Sequence, residues 1–244
     1  MPNKKMIVLA VVGQKGGAGK STICRAIAAA ALTEGRRVHM IDADPQAGLK
    51  DWYNRIMVGG GGPLPDDRLT LEWLPQLDDI RGSIDQHYQA GETDLVLIDS
   101  KGELSESSAY VMMEADALIL PVMATSSDIT AQAKTIRFYE ALREQAEDDF
   151  PPLAAVISRF PAKPSKVQVA CKEEIEDTFP VIRRVVMDRA AYISMDEEGF
   201  LHTLLRKRRE AEDPIMRLQA RNFEEALSDA ADVFNQVSEL ADEA

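Results

Sequence analysis

The 244-residue sequence predicts an α/β fold, a single doubly wound, mostly parallel sheet flanked by helices. Three observations carry that expectation. An apolar run, Met6 to Val12, breaks at a cluster of glycines and gives way to an alanine-rich helical stretch, Ser21 to Leu32. Short apolar runs then alternate with helical ones down the chain, as parallel strands joined by crossover helices do. One such run, Asp94 to Asp99, is continuously apolar until it closes on a carboxylate, which places that carboxylate at the ligand-binding edge of the sheet.

The first strand, loop and helix hold the strongest chemical signal, Val11-Val12-Gly13-Gln14-Lys15-Gly16-Gly17-Ala18-Gly19-Lys20-Ser21-Thr22. Gly16, Gly17 and Gly19, with Ala18 between them, allow backbone N–H groups to turn inward around phosphate oxygens, and the helix N-terminus adds partial positive charge. Lys20 then bridges the β- and γ-phosphates, Ser21 Oγ ligates Mg²⁺ and Thr22 donates to the α-phosphate. The loop departs from G-x-x-x-x-G-K-[ST] at Gln14, where a glycine is usual, and carries a second lysine, Lys15. A lysine there cannot easily fold back onto its own nucleotide, so it is free to reach a phosphate held by another subunit. The alternative is a solvated loop charge.

Lys15 to Ser21 resembles the deviant Walker A box of the ParA/MinD ATPases, whose signature lysine acts across a nucleotide-sandwich dimer. The resemblance implies an ATP- and Mg²⁺-dependent homodimer, with slow, partner-stimulated hydrolysis. After a stop at Gly35, a second strand from Arg36 to Ile41 leads into Asp42-Ala43-Asp44-Pro45-Gln46, which occupies the family's A′ box. Two carboxylates at a strand end beside the phosphates suit Mg²⁺ and water. The resemblance implies that Asp42 holds a Mg²⁺-bound water and that Asp44 orients or activates the attacking water, making Lys15, Lys20 and Asp44 the catalytic set. Asp44 also suits the cap of the following helix.

Ala47 to Met57 reads as a short helix, with Trp52 and Tyr53 as core or interface residues rather than a nucleobase platform. The Gly/Pro-rich stretch 58–67 reads as a surface excursion within one domain spanning 1–244. A strand from Leu69 to Leu74 and a helix from Asp78 to Gln89 follow, with His87 among polar neighbours as a surface residue. Asp99 is the expected Walker B aspartate, holding Mg²⁺ through water. Many relatives continue there with a proline pair, whereas this chain reads Ser100-Lys101-Gly102-Glu103-Leu104. Lys101 is a dimer contact or a solvated loop lysine.

Further elements are expected at Ser105–Glu114, Ala117–Val122, Asp128–Glu147 and Leu153–Ser158, then a helix over Lys163–Thr178 and a short strand over Phe179–Ile182. The segment Asp99 to Thr135 resembles small partition ATPases and the related VirC-type conjugation proteins. Arg159 ends a strand where relatives hold adenine, and either binds the base or forms a surface ion pair. Arg183, Arg184 and Arg189, with the run Arg206-Lys207-Arg208-Arg209, make a candidate phosphate-backbone patch for non-specific DNA. The alternative for that run is a solvated helix face paired with Glu210, Glu212 and Asp213. A final helix from Pro214 to about Leu240 is expected to cover the sheet.

A formal charge of −13 argues against a surface that coats nucleic acid as a whole, but leaves room for a local basic patch. Cys24 and Cys171 read as buried thiols in a reducing cytoplasm, since neither spacing nor number suits a zinc site or disulfide framework. The absence of a long apolar run, and an acidic tail unlike the basic amphipathic tail of MinD-type relatives, point to a cytoplasmic protein without membrane contact, and the resemblance implies that it is nucleoid-associated. Together with the resemblance, these features favour an ATP-dependent switch that partitions or positions a DNA cargo through a ParB-like or centromere-binding adaptor. The rivals are an accessory protein of conjugative DNA transfer and a positioner of protein cargo. A metabolic ligase with a shared phosphate loop is weaker still, because Lys15 has no place in it.

Overall fold

The computed structural model describes residues 5–58, 66–146 and 150–243, so most of the glycine-rich excursion expected at 58–67 lies outside the described residues. Six strands, β1 (Ile7–Val11), β2 (Val38–Asp42), β3 (Leu69–Trp73), β4 (Leu95–Asp99), β5 (Ala117–Met123) and β6 (Leu153–Ser158), form one sheet in the order β3-β2-β4-β1-β5-β6. Every pairing is parallel. The intervening and following helices are α1 (Lys20–Thr33), α2 (Gly48–Val58), α3 (Leu77–Ala90), α4 (Glu106–Met113), α5 (Ser126–Gln145), α6 (Lys166–Thr178), α7 (Ala190–Glu198), α8 (Leu201–Arg209) and α9 (Pro214–Glu243).

The pleat distributes the strands' side chains between two cores. Leu9 and Val11 face the layer of α1, α2 and α7 to α9, whereas Val8, Ala10 and Val12 face α3 to α6. Helix α1 is buried on nearly every side, because Ala26 and Ala28 to Ala31 are small enough to lie between the sheet and α9. It ends where expected, with Gly35 at φ 84° and Arg36 N–H donating back to Ala31 O at 3.0 Å. Helix α9 differs from expectation. It packs mainly on α1 and α8 and meets the sheet at β5, so it covers the first helix more than the strands.

The strand expected over Phe179–Ile182 is not continuous. Pro180 has no N–H, and the segment touches the open edge of β6 at spaced points, with Ala155 N–H donating to Pro180 O (2.8 Å) and Val186 N–H donating to Ile157 O (2.8 Å). That intermittent cover still satisfies edge groups that would otherwise be open to another chain. His87 also departs from the surface expectation: it is half-buried and stacks on the buried ring of His39, with centroids 3.8 Å apart. Cys24 and Cys171 are free and buried.

The register fixes the chemistry. Asp42 pairs with Asp99 across β2 and β4, and Asp99 pairs with Val11 across β4 and β1, so two carboxylates and the root of the glycine loop share one edge. This is the edge at which open parallel sheets bind ligands.

Candidate nucleotide site

The loop after β1 takes its shape from positions that need glycine. Gly13 has φ 142°, and a Cβ there would lie 3.1 Å from Gln132 and Leu120 side-chain atoms. Gly19, at φ 102°, is the N-cap of α1 and turns the chain so that Lys20 begins the helix. Side chains from distant elements fasten the loop. Gln14 N–H donates to Thr135 Oγ1 (3.2 Å), and Ser158 Oγ donates to Ala18 O (3.0 Å). Lys20 is 9% exposed, and its Nζ lies 3.5 Å from Lys15 O. Burial pulls its pKa below the usual lysine range, while Asp99 and Asp44 oppose that shift.

The acids behind the loop are not electrically balanced. Asp99 is 3% exposed and its Oδ1 has no hydrogen-bond partner among the described residues. Burial pushes its pKa up to about 7, reinforced by Asp42 and opposed by a hydrogen bond from Ser21 and the charge of Lys20. Asp42 is fully buried, with Oδ1 accepting from Asp44 N–H (3.1 Å) and Oδ2 from Lys50 N–H (2.9 Å). Burial raises its pKa too, against those backbone donors. An orphaned carboxylate oxygen beside a second carboxylate and a serine hydroxyl is an all-oxygen donor set, and it fits Mg²⁺.

Asp44 is half-buried at the mouth of the site. Its Oδ1 accepts from Gln46 N–H (2.9 Å), the turn-capping contact, and its carbonyl accepts from Trp73 Nε1 (3.0 Å). Thr22 lies with Ser21 on the wall of an adjoining cavity of about 570 Å³ that also takes in Arg159 and the 186–189 segment. Arg159 is exposed, at φ 51°, and pairs with no carboxylate among the described residues, so the surface ion pair offered by the sequence is not formed. Trp52 is core: its Nε1 donates to Met195 O at 3.0 Å.

Lys15 is held within its own chain. Its Nζ lies 3.0 Å from Asp128 Oδ1 and 3.1 Å from Ser127 Oγ, while fully buried Asp128 accepts Met123 N–H through its other oxygen. The Lys15 contact is an ion pair rather than a well-aligned hydrogen bond. Asp128, Gln132 and Thr135 form a buried polar stripe on α5. Gln132 Nε2 donates to Pro121 O (3.0 Å), and Thr135 Oγ1 donates to Gln132 Oε1 (3.1 Å). Sequence reasoning missed this stripe, although polar residues spaced four and three apart in an otherwise core-facing helix were its visible signal. It also missed Arg25, which is buried over Trp52 and joins α1 to α7 through Asp196 (2.6 Å).

The basic run does not form one exposed patch. Successive helical residues turn by about 100°, so four of them fan around most of α8 and one must face inward. That residue is Arg208, 8% exposed, stacked over Phe223 and paired with Glu198 at 2.9 Å. Lys207 shares Glu198, and Arg209 pairs with Glu224. The partners are therefore not Glu210, Glu212 or Asp213. Arg184 and Arg189 converge on buried Asp229, and Arg189 also holds Glu225. Of the seven expected cations, Arg183 and Arg206 are exposed without a carboxylate partner among the described residues.

A family model described as VirC1 protein matches residues 6–243. The chain belongs to the VirC1 family. Protein virC1 of Rhizobium radiobacter is 27% identical over 96% of this chain and 99% of its own length. Maintenance of carboxysome distribution protein A of Halothiobacillus neapolitanus is 30% identical over 82% of this chain and 88% of its own. The fold is that of a substituted McdA from Cyanothece solved as its ATP complex, with a TM-score of 0.67 at 17% identity over 92% and 97% of the two chains. It is equally that of the MinD cell division protein of Aquifex aeolicus, with a TM-score of 0.65 at 19% identity over 94% and 97%. The VirC1-family chain is thus a ParA-type ATPase relative, as the loop predicts. Among its described residues no helix is long and apolar enough to cross a membrane.

Proposed function

We propose that this VirC1-family chain is an ATP-driven dimerising switch that holds DNA in its ATP-bound form and releases it on hydrolysis. The observation that carries the reading is the orphaned Asp99 oxygen, in register with Asp42 and beside Ser21 and Lys20. Gly16 to Thr22 would wrap the phosphates, Lys20 would neutralise the β- and γ-oxygens, and Arg159 would lie against the base. Ser21, Asp42 and Asp99 would hold Mg²⁺, which when bound offsets charge developing on the phosphates. Asp44 would release its turn contact and orient the attacking water. Lys15 would leave Asp128 and reach the nucleotide of the partner subunit, joining ATP occupancy to dimerisation.

Non-specific DNA would meet the dimer through Arg206 and Arg183, joined by Arg209 and Lys207 when phosphate displaces their carboxylates. Two such surfaces side by side give salt-sensitive affinity that one copy lacks. The cargo is DNA presented by a centromere-binding or ParB-like adaptor. A second reading is favoured by the family match across 6–243: recruitment of a DNA-transfer complex, in which hydrolysis is secondary.

The test measures DNA binding at several salt concentrations without nucleotide and with ATP, ADP or a non-hydrolysable analogue, while light scattering follows the dimer. Sequence-indifferent binding that needs ATP and tracks dimer formation is the expected result. Binding confined to a transfer-origin sequence selects the second reading. An ATP-bound dimer without DNA affinity overturns both.

A further inference from the structure

Away from the nucleotide site, His39 on β2, Glu72 on the edge strand β3 and His87 on α3 converge. One ligand-capable atom of each lies within 4.8 Å of the other two, and His39 Nε2 is 3.4 Å from Glu72 Oε2. A tetrahedral ion with bonds of about 2.0–2.1 Å has ligand-to-ligand edges of about 3.4 Å, so this pair already stands at the separation of two ligands on one ion.

The surroundings orient both rings. His39 Nδ1 lies 2.8 Å from Thr70 Oγ1, and His87 Nδ1 lies 2.7 Å from Thr93 Oγ1. When each Nδ1–H donates to its threonine, each Nε2 presents a lone pair, the arrangement by which outer hydroxyls and carbonyls set the tautomer of metal-bound imidazoles. Without an ion, Ser83 Oγ donates to Glu72 Oε2 at 2.7 Å, so in its 3.1 Å contact with His39 Nε2 the nitrogen donates; an ion replaces that contact as the His39 proton moves to Nδ1. Burial lowers the pKa of both histidines, that of His39 to about 3, so the rings are neutral near pH 7. Two neutral imidazoles and a carboxylate suit a borderline transition-metal dication better than Mg²⁺ or Ca²⁺.

We propose that His39, Glu72 and His87 form a binding site for one divalent transition-metal ion of the zinc or cobalt class, separate from the Mg²⁺ site. Glu72 is 49% exposed, which leaves a route for the ion and room for a water as fourth ligand. The two rings are only 24° from parallel and their lone pairs lie in the ring planes, so binding one ion would require the His87 ring to tilt out of the stack. An ion held there clasps the edge strand and α3 to β2.

The test titrates the nucleotide-free, chelator-stripped full chain with Co²⁺, reading visible absorption, and then displaces it with Zn²⁺. One equivalent should give the intense bands of tetrahedral cobalt. His87→Ala and Glu72→Gln should each weaken binding by on the order of 100-fold, while Asp99→Asn, altered in the other site, should titrate like the wild type. Zn²⁺ should raise the melting temperature of the wild type and not of the two ligand variants. If His87→Ala fails to fold, the half-exposed Glu72→Gln carries the comparison. Absent tetrahedral bands, or equal titration of wild type and ligand variants, reduces the pair to stacked packing. A signal lost in Asp99→Asn but kept in His87→Ala assigns the ion to the nucleotide site and overturns the proposal.

Discussion

The phosphate-loop edge and helix α8 are the two regions where the sequence gathers charge, and the fold treats them oppositely. At the loop edge, charge is buried and left short of partners: Asp99 Oδ1 has none among the described residues, and Lys20 touches a carbonyl at 3.5 Å. On α8, three of the four cations are paired, Arg208 and Lys207 with Glu198 and Arg209 with Glu224, while Arg206 is left to solvent. Desolvated charge without a partner is costly, so a fold keeps it where something else completes it. The contrast teaches that incomplete pairing, more than density of charge, marks a site.

Several substitutions break or sharpen this contrast, beginning with the largest effect. Lys20→Ala should lower ATP turnover by at least about 100-fold if, as proposed, this buried cation neutralises the phosphates, since no other residue would take its place. Unchanged turnover in a coupled phosphate-release assay would remove the loop from the chemistry. Asp44→Ala should slow hydrolysis by a comparable factor while leaving an ATP-bound dimer in light scattering. Lys15→Ala should impair that dimer more than it impairs nucleotide binding, measured by fluorescence titration of a labelled ATP analogue. It should also lower monomer stability by about 1–3 kcal/mol, since Asp128 is left buried without its cation.

On α8 the expected damage is to folding rather than to ligand binding. Arg208→Ala should cost about 2 kcal/mol in denaturant unfolding through lost packing on Phe223 and a lost pair with Glu198. Arg206→Ala should leave stability within about 0.5 kcal/mol, weaken ATP-dependent DNA binding and reduce its salt slope by about one. Equal stability losses at both positions would erase the distinction between inward and outward faces.

The smallest effect is also the most specific. Asp99 has a folded-state pKa raised above its unfolded value to about 7, so the folded chain binds more protons than the unfolded chain between about pH 4 and 7. Its contribution to stability is therefore lost as pH rises through that window. Buried His39 and largely buried His202, with lowered values of about 3 and about 4, act in the opposite sense. Asp99→Asn removes the first effect alone. In Mg²⁺-free buffer, the melting temperature of Asp99→Asn minus that of wild type should grow from pH 5 to pH 8, and a flat difference would contradict a strained carboxylate.

What could be read beforehand was what is local. Strand β4 was legible because a continuous apolar run ends in one aspartate, and the glycine loop because its residue types admit few other uses. The Lys15–Asp128 pair joins residues far apart in sequence, and no periodicity announces it. Phe179–Ile182 has strand composition, yet Pro180 and its position outside β6 reduce it to scattered contacts. The basic run misled because adjacency along a helix is not adjacency on a face. His87 looked solvated among polar neighbours, since its partner His39 comes from another strand.

Helix α1 also sets the tempo of the molecule. Enclosed between the sheet and α9, its alanine backbone can exchange amide protons only when a large part of the fold opens. The C-terminal half of the phosphate loop grows directly out of that enclosed helix, while the N-terminal half is tethered by side chains of α5. The nine residues from Gln14 to Thr22 thus contain two clocks: Gly19 to Thr22 keep time with the core, and Gln14 to Gly17 with the breaking of a few polar contacts.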